Sequence, residues 1–135
     1  MPDSDPAAPR PVDLVTLREA LEASWCPQTS FGGVWQDDNP ALGQCYPTSR
    51  VVQHFLPSCG IVKGEVWTGV RHEVHFWCEL DMEDGTVAVD LTWQQFPPGS
   101  VVTDRRVLDR NDLGDSPPTV ARCDLLLDRV RARLR

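Results

Sequence analysis

Apolar residues recur at helical spacing near both ends of the chain and alternate with polar ones in its middle. Leu14, Leu17, Leu21 and Trp25 fall on one face of a predicted helix that Asp13 is placed to cap and that Cys26-Pro27 stops. At the other end Val120, Cys123, Leu127, Val130 and Leu134 make a second such face. Ser116-Pro117 gives that helix a start signal, and arginines fill its last turn, where they oppose the negative end of the helix dipole. A third helix is expected from Cys45. Pro47 fits only a first turn, Val51, Val52, Phe55 and Leu56 form an apolar stripe, and Pro57 to Gly60 end it.

Strand-like runs follow at 61–70, 70–80 and 86–96, the last two parted by the turn-rich segment 81–85, so a β-hairpin is expected after the Cys45 helix. The stretch 26–44, rich in Gly, Pro, Asn and Asp, reads as a long loop, with Trp35 arguing against disorder. Residues 97–118 have weak periodicity and read as a covering loop, broken at most by a short helix. The first dozen residues carry four prolines among small and acidic residues and read as a flexible arm, which leaves 13–135 as one domain. The pattern predicts an α+β fold, with the Cys45 helix packed on a small antiparallel sheet and flanking N- and C-terminal helices.

Composition narrows the classes of partner. A chain of 135 residues that is 41% apolar supports one core, and a net charge of −7 argues against nucleic acid and anionic membranes, whose phosphates need a basic face. A small-molecule or peptide partner fits better, and an acidic surface with aromatic walls favours flat or cationic ligands. No run approaches the roughly 20 apolar residues of a membrane helix, and Met1 to Val12 lacks the apolar core of a signal peptide, so a cytoplasmic protein is expected. Five cysteines without a CxxC pair suggest free, mostly buried thiols, with no disulfide framework and no zinc ribbon. Cys59, His72, His75 and Cys78 resemble a metal set in type, but strand alternation splits them between two faces. No metal and no cofactor is expected.

A thiol becomes a good nucleophile at a helix N-terminus or beside a histidine, and Cys45 has the first by position. His72 and His75 point to opposite faces of a strand, and His54 reads as a helix-surface residue. If the hairpin closes with Leu80 opposite Gly85, His75 lies directly across from Asp90, which can then orient the imidazole. A bulge at Asp84-Gly85 would shift that register. The plainer alternatives are a strand-end cap for Asp90 and ordinary core packing for Trp35, Trp67, Trp77 and Trp93. Two or three of those indoles could instead wall a cleft.

A set of motifs points further. Asn39-Pro40 leads to Gly43-Gln44-Cys45, with Thr48 and Val51-Val52-Gln53 beyond it. His75-Phe76-Trp77, Asp84-Gly85, Asp90-Leu91-Thr92 and Gln95-Phe96 complete the set. Together they resemble the YunG-type family of small bacterial proteins over Trp25 to Phe96, with departures at Tyr46-Pro47 and Cys78. The order of Cys, His on a strand and Asp on the next is similar to that of transglutaminase-like enzymes, arylamine N-acetyltransferases and lasso-peptide leader peptidases. The resemblance implies a papain- or transglutaminase-like site with Cys45 as nucleophile, His75 as base and Asp90 as orienter. The Cys45 N–H and the Gln44 side chain are the candidate oxyanion donors, and Trp35, Asn39, Trp77, Trp93 and Gln95 the candidate substrate contacts. Amide or thioester hydrolysis, or acyl transfer, is the expected chemistry. The alternative is a binding module on the same fold without turnover.

Overall fold

The Asp13 carboxylate accepts from the backbone N–H of Thr16 at 2.8 Å and from its hydroxyl at 3.0 Å, and so starts helix α1 (Leu14–Ser24). This computed structural model describes residues 12–135, so the arm expected over the first dozen residues lies outside the described residues except for Val12. Val12 packs against the core. Leu17, Leu21 and Trp25 bury the inner face of α1, whereas Leu14, placed on the same face by spacing, is 42% exposed.

The remaining elements are α2 (Cys45–Phe55), strands β1 (Gly60–Trp67), β2 (His72–Met82), β3 (Gly85–Val89) and β4 (Val101–Val107), and α3 (Pro117–Leu134). The strands form one antiparallel sheet in the order β3-β2-β1-β4. The fold is therefore α+β, with three α-helices and a four-stranded sheet among the described residues. Helix α3 packs on both α1 and α2 through Leu126 and Val130, neither of which is exposed, and the Arg129 Nε–H donates to the Ser24 carbonyl at 2.7 Å. Val120 of its expected stripe is exposed instead. Ser116 caps α3 by accepting from the Thr119 N–H.

Two apolar layers follow from the alternation of β1 and β2. Ile61, Cys78 and Val89 join the helices in the main core. Val62, Val66, His75 and Trp77 bury the opposite face. Gly64 belongs to that second layer, where a Cβ would come within 2.5 Å of the Trp77 ring and 2.6 Å of the Asp104 carbonyl.

Three expectations need correcting. The stretch read as a covering loop contains β4, which pairs with β1 through a register shift at Glu65/Val66. All seven of its residues are exposed, so it carries no burial pattern by which to be recognised. Strand β3 ends at Val89 rather than running to Phe96, because the chain turns away at Asp90 into a 3-10 turn at Trp93–Gln95. The hairpin turns tightly through Glu83 and Asp84, setting Met82 opposite Gly85 and Leu80 opposite Val87, two residues from the expected register. A shift of two keeps every side chain on its expected face. Among the described residues no helix is long and apolar enough to cross a membrane.

Candidate active site

The turn into α2 depends on Gly43. Its φ of +79° is left-handed, and a Cβ there would lie 2.3 Å from the Ser30 hydroxyl, so both conformation and space favour glycine. Gln44 follows with no exposed surface. Its Oε1 accepts from the Thr29 hydroxyl at 2.8 Å, and its amide nitrogen donates to the Cys26 carbonyl at 3.0 Å. The Gln44 side chain thus ties the loop over 26–44 to the helix start. That leaves one N–H for the oxyanion role expected of it.

Cys45 is the first residue of α2, half-buried and free. The Thr48 N–H donates to the Gln44 carbonyl at 2.9 Å as the first helical bond, so the N–H groups of Cys45 and Tyr46 have no acceptor inside the helix. Both belong to the positive end of the helix dipole.

His75 has no exposed surface, and its Nε2 lies 2.7 Å from Asp90 Oδ2. The other carboxylate oxygen accepts from the Thr92 N–H at 3.2 Å, which steadies Asp90 just beyond the end of β3. The ladder register would set Asp90 across from Trp77, so its contact with His75 is diagonal and on the same face. Rings enclose the imidazole: Trp77 stacked at 5.4 Å, Trp93 at 5.8 Å and Phe96 edge-on at 4.8 Å between centroids. Burial is the largest influence on His75 and lowers its pKa. Hydrogen bonds and charges from Asp90 and Cys45 together outweigh it and raise the pKa to about 9.

The other ring nitrogen, Nδ1, is buried and makes no protein hydrogen bond. The Cys45 thiol favours the imidazolium, yet Nδ1 has no hydrogen-bond partner. Nucleophile and base pairs commonly lack a well-formed hydrogen bond before a substrate tightens them. The first six residues of β2, His72 to Trp77, have no β3 residue beside them, since the ladder ends at Cys78 and Val89.

A cleft of about 1440 Å³ opens beside Cys45, and Trp35 and Gln95 line it. The Trp35 Nε1 itself is buried without a partner. Asn39, Trp77 and Trp93 do not line the cleft. The Asn39 amide donates to the Gln95 carbonyl at 3.0 Å and so holds the 3-10 turn, while the two indoles wall in His75. His72 sits on the other face from His75, is exposed and reaches the cleft, and His54 is on the helix surface beside Arg131.

Tyr46 is a site residue that spacing did not bring forward. It lines the cleft next to Cys45, packs edge-on to Phe76 at 4.8 Å and donates its hydroxyl hydrogen bond to Asp115. Arg50 pairs with the same carboxylate at 3.4 Å. Burial, then the bond to Asp115, push the phenol far above its ordinary value, so it stays a neutral donor. Its place directly after the cysteine was the available signal.

The model of the YunG protein family matches residues 13–135. The chain belongs to that family. The match runs beyond Trp25–Phe96 to take in α1 and α3, so the family's common unit includes the helices behind the sheet as well as the site. No curated protein and no solved structure matches the chain.

Proposed function

We propose that the protein carries out cysteine-dependent acyl chemistry, amide or thioester hydrolysis or acyl transfer, through a thioacyl intermediate on Cys45. The observation that carries this reading is the fully buried His75, held through Nε2 by Asp90 with its Nδ1 left unpartnered, and raised in pKa by both Asp90 and Cys45. In this reading the Cys45 thiolate attacks the substrate carbonyl carbon and forms a C–S bond. The Cys45 N–H at the start of α2 stabilises the oxyanion. As the C–N or C–S bond of the substrate breaks, His75 gives its proton to the leaving group. Water or an amine then attacks the thioester carbonyl, His75 takes its proton, and the C–S bond breaks to release the Cys45 thiolate beside the reprotonated His75.

Asp90 keeps the imidazole oriented throughout, the division of roles found in Cys-His-Asp enzymes of papain- or transglutaminase-like fold. The α+β architecture, with the cysteine at a helix start and the histidine on a neighbouring strand, supports that fold as an analogy of site order. Five free cysteines suit a reducing compartment, and we place the reaction in the cytoplasm with a small-molecule or peptide substrate.

The volume of the cleft favours a second reading, a binding module on the same fold that holds its ligand without turnover. Alkylation of Cys45 separates the two. Iodoacetamide should label Cys45 at pH 7 roughly tenfold faster in the native protein than in His75→Ala. Equal rates would remove the activated nucleophile and leave the binding module.

A further inference from the structure

The donors of the cleft are unevenly matched by acceptors. Lys63 on β1 stands directly opposite Arg106 on β4, and Lys63 also stands opposite Phe76 on β2, so these side chains share the face that looks into the cleft. Like charges directly opposed on neighbouring strands repel, and a fold gains nothing by keeping them there. Among the described residues neither cation makes an ion pair. Two of the four acidic groups lining the cleft are engaged with other partners: Glu73 with Arg71 at 3.8 Å, Asp115 with Tyr46 and Arg50. Asp109 and Asp112 line the cleft from an exposed turn, nearer in sequence to Arg106 than to Lys63, with Asp109 accepting from the Asn111 N–H at 2.9 Å. The next pair along the two strands, Glu65 and Asp104, is exposed and does not line the cleft.

We infer that the substrate is anionic: a carboxylate or phosphate on it is held by Lys63 and Arg106 while its reacting carbonyl lies at Cys45. The inference rests on the acyl reading of Cys45 for the second half of that statement. It reverses the preference for cationic ligands that a net charge of −7 suggests, because recognition at a few ångströms is governed by the groups lining the site. The repelling pair is then a local cost that a bound anion offsets.

The test is a titration of the full chain with glutarate, inorganic phosphate and neutral glutaramide, followed by amide chemical shifts. Glutarate or phosphate should give saturable shifts in β1, β4 and the first turn of α2, the two arms distinguishing carboxylate from phosphate. Glutaramide should give none. The double variant Lys63→Gln/Arg106→Gln should bind the anion roughly tenfold more weakly or worse, and it should melt no lower than the parent because a repulsion has been removed. Equal binding of glutaramide, or undiminished anion binding by the double variant, overturns the inference.

Alkylation by iodoacetate and iodoacetamide, which differ in charge and share a leaving group, gives an independent measure at Cys45. The iodoacetate-to-iodoacetamide rate ratio should fall in the double variant. Should Cys45 label equally fast with and without His75 while glutarate still binds, the acyl reading falls and the anion site stands.

Discussion

A histidine with no exposed surface is either neutral or held by an anion, because an unpaired imidazolium is costly in a dry site. His75 is held by Asp90, and its pKa lies above the ordinary 6.5, at about 9. A folded-state pKa above the unfolded one means the folded protein binds the proton more tightly. The resulting stabilisation is complete below about pH 6.5 and is lost as pH rises through about 9. Denaturant unfolding should therefore show stability falling across that window. In Asp90→Asn the slope should flatten, with a loss of about 2 kcal/mol at neutral pH, less than for a fully buried pair because Asp90 is partly exposed.

Secondary elements set where these side chains can meet. Gly64 lets the Trp77 ring lie across β1 and close over His75. Gly64→Ala should cost about 2 kcal/mol, since the added methyl meets a strand carbonyl as well as the indole and neither can simply step aside. Chemical denaturation would give the loss, and an unchanged midpoint would mean that the ring has other room. Much of this level was readable from residue order. Asp13, Pro47 and the stripes of α1 and α2 carry local signals for helix ends and faces, and alternation separates His72 from His75 whatever the register. The tightness of the turn at Glu83-Asp84 had no such marker, yet an error of two residues left His75 and Asp90 on one face and within reach. Strand β4 was invisible for a different reason. Its stability comes from the ladder with β1, and Val101, Val102 and Val107 are all exposed, so apolar periodicity had nothing to report. Asn39, Trp77 and Trp93 show the same limit within the site. Residue type marked them as contacts for a ligand, and only their neighbours reveal that they support the turn and enclose the imidazole.

At the scale of the whole molecule, the site draws on both faces of the sheet, His75 on one and the cleft residues Lys63 and Phe76 on the other, and the sheet rests on helices far from the thiol. Leu126, with no exposed surface, sits where α3 packs between α1 and α2. Leu126→Ala should lower stability by about 3 kcal/mol in denaturant unfolding, and Cys45 alkylation should slow only where the unfolded fraction becomes appreciable. A direct loss of labelling in the folded variant would mean that α3 positions the site as well as supporting it. The family match through residue 135 accords with α3 as part of the common fold.

The ring enclosure of His75 has an optical consequence. An imidazolium quenches nearby indole emission more strongly than a neutral imidazole does, and His75 lies 5.4 Å from the Trp77 ring and 5.8 Å from that of Trp93. The two indoles are thus a built-in gauge of the charge on the proposed base. Tryptophan emission should brighten as pH passes about 9, and the step should vanish in Trp77→Phe/Trp93→Phe. Any ligand that takes the proton from His75 should brighten the protein in the same way at constant pH, which would let an unlabelled candidate substrate announce itself by light alone.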